Sequence, residues 1–497
     1  MSSQDPRTAS TENSIWRDLP EDEFRQHLVR LEERTNAIPM DPKIFSAKDW
    51  VLKNGLPFLN LEDSSLSSHP IVPSMPVSIM GYHTKLPLEV EQQVADDFAC
   101  LAAVVEGGQS VAAACIEQDG ANGGMTLRFA AVDLSLNEEV KNYLRAIGNF
   151  LAEAATATTS LSALTSDQYI EKLYDQVIRL HHRRLLARLR STKWEKPKYL
   201  SKSHKKPLWQ DYTNLQHRLQ FAYTKTEKST RKMVSDELHN LSSIYSDFES
   251  SPITDEHAAL RYLVTSSHIF CSKEEIKDYL HRLQTQTSQN PPTPQVGAAI
   301  KSLRQIQKIA NYRRISVSLI QTAQKYPRLF CKIDIGYLTP YSSILTTIGH
   351  HEWAKTCHVH AEVQLAVYYD LQFHSSNSNS EFATLKTTPK VIGTSKWLCF
   401  LCYQFLQSHK LFFPSKTHGQ LYDQWTVPDL KEFGQCEGMV KRYRNILRII
   451  DEVIVAQTKE EPELWRLKPM TSCITDSENK PARHDSEIFN CFGAESK

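Results

Sequence analysis

At 497 residues the chain is too long for one ordinary compact domain, so two or three units are expected. Lys plus Arg number 58 against 57 Asp plus Glu, so no global charge advertises a nucleic-acid binder. The ten cysteines lack disulfide-framework spacing, no apolar leader is visible and no segment approaches roughly twenty apolar residues, which together lead us to expect a cytoplasmic or nuclear protein without a membrane span.

In chain order, Met1 to Asn13 is too polar to fold alone, and a first helix is expected from Glu21 to Ala37. A Ser- and Pro-rich loop spans Ser64 to Pro87. Glu89 to Glu106 and Leu134 to Ala157 read as helices, with a hairpin over Ala112 to Val132 around Gly120, Gly123 and Gly124. Residues 1–190 are thus expected to form a mainly helical N-terminal region, without a constellation that carries chemistry.

Arg179 to Lys206 is basic, with Arg183, Arg184, Arg188, Arg190, Lys193 and Lys196 among its cations and with Trp194 and Tyr199 interleaved. Such an arm could bind a nucleic-acid backbone or act as an import signal. The plainer reading is a solvated helix end running into a charged linker at 191–208. A helical region over 209–318 follows, interrupted by the Ser/Thr/Gln/Pro-rich stretch Thr285 to Pro294.

From 319 to 455 the pattern changes. Leu329 to Ile335 reads as a strand, Ser342 to Thr347 as a second, Val391 to Thr394 as a third and Lys410 to Phe413 as a fourth. An amphipathic helix from about Pro428 through Val455 would close the unit, and the polar tail over 456–497 is expected to be disordered.

Two motifs inside this segment carry chemistry, His360-Ala361-Glu362 and Cys399-Phe400-Leu401-Cys402. Thiolates and a neutral imidazole suit zinc, and three such ligands leave a fourth tetrahedral position for water. His360, Cys399 and Cys402 are therefore the candidate ligands. Glu362, two residues beyond the histidine, is the candidate proton carrier. Val363, Leu365, Ala366 and Val367 continue from it as a buried helix, and Cys399 and Cys402 share one face at the start of another, where backbone amides favour thiolates. His358 is a rival ligand without a glutamate at that offset, and Cys357 reads as a core thiol. A structural zinc, an unliganded buried cluster and a redox dithiol at Cys399/Cys402 remain alternatives.

Together the motifs resemble the H-x-E and P-C-x-x-C pattern of the cytidine deaminase-like superfamily. The run from Gly393 to Cys399 resembles its divergent branches in fungal proteins and bacterial toxins, with Leu398 standing where the family usually has proline. The resemblance implies a three-layer α/β/α fold with a mixed sheet, zinc between two helix starts, and hydrolytic deamination of a cytosine- or adenine-type base with Glu362 as general acid/base. Around that centre, Ser395, His418 and Trp425 are the candidate substrate contacts. The run Thr417 to Trp425 could line a base pocket, or be a surface turn whose Trp425 packs into the core. A deaminase-like interaction module without activity is the alternative function.

Overall fold

The computed structural model describes residues 5–10, 12–35, 37, 39, 85–106, 110–119, 122–133, 135–157, 164–198, 206–285, 293–376, 387–435 and 437–459. The Ser/Pro-rich stretch up to residue 84, most of the Thr285 to Pro294 stretch and everything after Lys459 lie outside these residues.

In chain order the helices are α1 (Glu21–Thr35), α2 (Leu88–Ala102), α3 (Glu138–Thr156), α4 (Ser166–Leu180), α5 (His182–Leu189), α6 (Tyr212–Ala222), α7 (Lys228–Ser250), α8 (Glu256–Ser272), α9 (Glu274–Thr285), α10 (Pro294–Lys325), the single turn α11 (Pro327–Phe330), α12 (Ala361–Ser376), α13 (Phe400–His409) and α14 (Glu437–Lys459). The strands are β1 (Ala112–Gln118), β2 (Met125–Ala131), β3 (Ile333–Tyr337), β4 (Ile344–Leu345), β5 (Thr356–Val359), β6 (Gly393–Thr394) and β7 (Trp425–Thr426).

The hairpin read at Ala112 to Val132 is present, and its position decides the architecture. Four strands run in the order β3-β2-β1-β6, with β1 antiparallel to β2 and β6, and β2 parallel to β3. The sheet's two central strands therefore come from the region expected to be mainly helical, and the deaminase-like sheet is not contained within 319–455. Gly123 and Gly124 allow the junction, with φ of 82° and 99°. A Cβ on Gly124 would sit 2.9 Å from the Lys332 carbonyl oxygen, just where the chain leads into β3.

The sheet separates two cores. Ala112, Ala114 and Ile116 on one face of β1 join a helical layer containing α3, α4 and α10, whereas Ala113 and Cys115 on the other face join a layer built from α1, α12, α13 and α14. This is the three-layer α/β/α arrangement, with a mixed sheet and a large helical region on one side. A second small sheet, β4-β5-β7, lies in the other half.

Several expected boundaries move. Leu329 and Phe330 belong to the helical turn α11, and the strand begins at Ile333, because a short apolar run does not distinguish a buried turn from a buried strand. The second strand contracts to Ile344–Leu345, and Lys410 to Phe413 supplies one bridge, Phe413 to Val391. The polar start of the chain is tied down by its partners. Asp429 accepts from the Ser14 hydroxyl at 2.6 Å and from the Ile15 amide at 2.9 Å, and Phe24, Leu28 and Leu31 of α1 are buried in the same core as α14.

Much of the basic stretch is folded onto the helical layer. Arg183 pairs with Glu106 at 3.2 Å, Arg188 lies over the Tyr312 ring at 5.1 Å, Arg190 pairs with Asp211, and Lys193 donates to the Ser251 carbonyl at 2.6 Å. Tyr199 and residues 200–205 lie outside the described residues. No described helix is long and apolar enough to cross a membrane.

Strand β6 lies hard against α2. A Cβ on Gly393 would stand 2.1 Å from the Ala95 carbonyl carbon and 2.4 Å from the Asp96 amide nitrogen. Backbone atoms cannot rotate aside, so Gly393→Ala should destabilise the fold by at least the ~1–3 kcal/mol typical of overpacking. Urea unfolding would show this as a lowered midpoint, and an unchanged midpoint would contradict the packing of β6 on α2.

Candidate metal centre

Two helix starts converge on one point. His360 follows β5 and precedes α12, its carbonyl accepting from the Gln364 amide at 3.0 Å, and this leaves Glu362 in the first turn. Strand β5 is held in place by β4 on one side and β7 on the other. Cys399 is the N-cap of α13: its backbone is extended and its Sγ accepts from the Cys402 amide at 3.3 Å. Cys402 then lies one turn into the helix on the same side.

The His360 Nδ1 lies 3.7 Å from Cys399 Sγ and 3.3 Å from Cys402 Sγ. The ligand atoms of His360, Cys399 and Cys402 all lie within 4.8 Å of one another. Glu362 Oε2 stands 3.6 Å from Cys402 Sγ without joining that group. Both thiols and the carboxylate are buried, whereas His360 is only partly so and opens the cluster to solvent.

The electrostatics fit a dication. Burial opposes ionisation of Cys399, but hydrogen bonding from Cys402 and the His360 charge outweigh it and hold that thiol well below its ordinary pKa. Cys402 is pushed well above its ordinary value by burial and by the Cys399 charge beside it. Burial also raises Glu362, with His360 pulling it back, while the Cys399 thiolate lifts His360 against its own burial. Without a metal the cluster can keep only part of its acceptor set ionised. A zinc ion bound by three donors of this chemistry would allow both thiols to be thiolates.

A neighbouring segment makes use of the leucine that stands where the resembled pattern has proline. Segment 416–420 runs beside 398–400: the Leu398 amide donates to the Lys416 carbonyl at 2.9 Å, and the His418 amide donates to the Leu398 carbonyl at 3.0 Å. A proline at 398 would have no N–H for the first of these bonds. The same pairing carries His418 toward the centre. Its ring is 6.0 Å from that of Tyr422, which in turn lies 6.4 Å from His360. Burial, with the Lys396 and His360 charges, pushes His418 down to about 3, so its imidazole is neutral near pH 7.

The other candidates are placed differently. Ser395 accepts from the Ala112 amide at 3.1 Å and its own amide donates to the Ala112 carbonyl, so it anchors the edge of β1. Trp425 is fully buried between Phe24 and Phe405, with ring centroids at 6.3 and 6.1 Å, and has no face available for a base. Its indole is near enough to Cys402 to favour the thiolate slightly. His358 points to the Thr356 hydroxyl at 3.2 Å, and Cys357 is a buried thiol pushed up to about 12 by burial. Two residues that the motifs do not single out stand near the centre. Lys396 is buried within the range where its charge acts on His360 and His418, and Tyr422 is half-buried between those two imidazoles. Neither lysine nor tyrosine belongs to a ligand motif; Tyr422 falls within the Thr417 to Trp425 run read as a pocket lining, but nothing in that run sets it apart from Trp425.

A buried network holds the site helices in register. Asp370 on α12 accepts from the Tyr443 hydroxyl at 2.8 Å and from Arg442 at 3.1 Å, both on α14, and pairs with His409 at the end of α13 at 2.8 Å. Burial would raise the Asp370 pKa, but His409 and Arg442 outweigh it and bring it below the model-compound value of 3.8. A depressed carboxylate stabilises above the unfolded value and loses that contribution as pH falls through the folded one. Asp370→Asn should therefore cost about 3 kcal/mol near neutral pH and flatten the stability loss below pH 3.8. Urea midpoints across pH 2 to 7 would test both limbs; equal midpoints for the two proteins at pH 7 would rule out the proposed role.

Residues 359–429 match the family model described as OTT_1508_deam-like deaminase. Residues 359–429 are thus similar to a deaminase domain of the cytidine deaminase-like type, and this segment contains His360, Glu362, Cys399, Cys402 and His418. No curated protein and no solved structure matches the chain.

Proposed function

We propose, starting from the deaminase-like domain at residues 359–429, that the chain is a zinc-dependent hydrolytic deaminase of a cytosine- or adenine-type base. The observation that carries this reading is the convergence of His360, Cys399 and Cys402 on one point, with Glu362 beside them. Among the described residues no fourth His, Cys, Asp or Glu joins the group, which suits a catalytic set with an open position better than a closed structural one.

When bound, zinc supplies the Lewis acidity that brings a water's pKa near neutral. His360 Nδ1 and the two Sγ atoms are the groups that would hold it. A Glu362 carboxylate oxygen takes one proton from the attacking water and passes it to the ring nitrogen, then takes the remaining hydroxyl proton and passes it to the departing amine; the C–O bond formed becomes the carbonyl, the C–N bond breaks and ammonia leaves. Tyr422, half-buried beside His360 and backed by the buried His418 ring, offers aromatic surface against which a planar ring can be oriented.

Ammonia release from zinc-loaded protein, assayed on nucleosides, nucleotides and single-stranded oligonucleotides, tests the reading. Release from a cytosine- or adenine-containing substrate supports it and identifies whether the base is free or polymeric. Zinc-loaded, folded protein that releases none from the whole panel would instead support a deaminase-like interaction module.

A further inference from the structure

Outside the thiolate centre, His350, His351 and Glu32 form a second group in which one nitrogen of each imidazole and one carboxylate oxygen lie within 4.8 Å of one another. We propose that these residues bind a second divalent cation of the zinc class, through a His/His/carboxylate set without thiolate.

The donors come from parts of the chain far apart in sequence. Glu32 is on the last turn of α1, and the histidines are in the loop joining β4 to β5. That loop is shaped independently of any ion. The His350 amide donates to Asp423 Oδ2 at 2.6 Å, the Ala354 amide donates to the His351 carbonyl at 2.9 Å, and the His351 ring stacks on Trp353 with centroids 5.3 Å apart. Gly349 closes the turn so tightly that a Cβ there would stand 2.5 Å from the Ala354 carbonyl oxygen. The two imidazole centroids are consequently only 4.4 Å apart.

The polar groups favour a cation. Nδ1 of His350 is buried and makes no hydrogen bond among the described residues, a costly state for an imidazole nitrogen that metal ligation would relieve. It lies 4.0 Å from Glu33 Oε1, an exposed carboxylate outside the three-ligand group. Glu32 itself is 8% exposed, in surroundings where a carboxylate gains from a positive partner. An ion held here would fasten α1 to the loop anchored on Asp423, one residue from Tyr422 at the thiolate centre.

The test is a cobalt titration of the metal-free full-length chain, followed by optical spectra and elemental analysis. The wild type is expected to take two equivalents, only one of which gives the thiolate-to-cobalt charge-transfer band. His351→Ala, at an exposed position, and Glu32→Gln should each keep the band and lose the thiolate-free equivalent, whereas Cys399→Ser should do the reverse. A wild type that takes no thiolate-free equivalent overturns the proposal, as does retention of that equivalent in both the His351 and Glu32 variants. Absence of the band with the thiolate-free equivalent retained would count against the first centre and leave the second standing.

Discussion

Glu362→Gln is expected to lower ammonia release by about 10²- to 10⁴-fold, the range general acid/base catalysis supplies, while leaving metal content and folding intact. The substitution keeps side-chain volume in a position that is only 4% exposed, so packing in the first turn of α12 should survive. It removes the group that accepts and returns the proton. The carboxylate lies outside the three-ligand group, so the metal should stay bound. The measurement is turnover beside zinc stoichiometry and circular dichroism for both proteins. Glu362→Gln turnover within a few-fold of wild type would eliminate Glu362 as the proton carrier.

Cys399→Ser is expected to reduce zinc from near one equivalent to near none at the thiolate centre and to destabilise the domain at the same time. Cys399 has two separate duties: its Sγ is one of the three candidate ligands, and it caps α13 by accepting from the Cys402 amide. Serine can still cap, so the loss should be mainly that of the metal. A ligand present at about a thousand times its Kd stabilises by ~4 kcal/mol, and this stabilisation would disappear. In a His351→Ala background, where only the thiolate centre is left to hold an ion, chelation of the protein that keeps Cys399 should reproduce the lowered thermal midpoint of its Cys399→Ser counterpart, and chelation of that counterpart should change little. If the variant retains stoichiometric zinc that depends on Cys402 and His360, Cys399 is not a ligand.

The metal and proton-transfer candidates were legible because their spacing is local. Cys399 and Cys402 meet because they are three apart at a helix start, a relation that helical geometry enforces regardless of the rest of the fold, and Glu362 stays near His360 because a single residue separates them at the entry to α12. The hairpin at 112–131 was also legible, through its two apolar strands and intervening glycines. Its partners were not. Strand β1 is buried on both faces, so its sequence has no alternation to indicate which side faces which layer, and its bonds to β6 join residues nearly three hundred positions apart.

The same limit applies to single residues around the centre. Trp425, in a segment that could have lined a pocket, is in the core because β7 pairs with β5 and turns it toward Phe24 and Phe405. Arg183, Arg188, Arg190 and Lys193 resemble a free cationic arm until Glu106, Tyr312, Asp211 and Ser251 are brought against them. The chain by itself determined the donor chemistry of its candidate metal centre, because ligand type and short-range spacing are properties of a few neighbouring residues. Only the tertiary structure decided the sheet's composition, the surroundings of that centre and the partners of Arg183, Arg188, Arg190 and Lys193, because backbone pairing and side-chain contacts depend on residues distant in sequence.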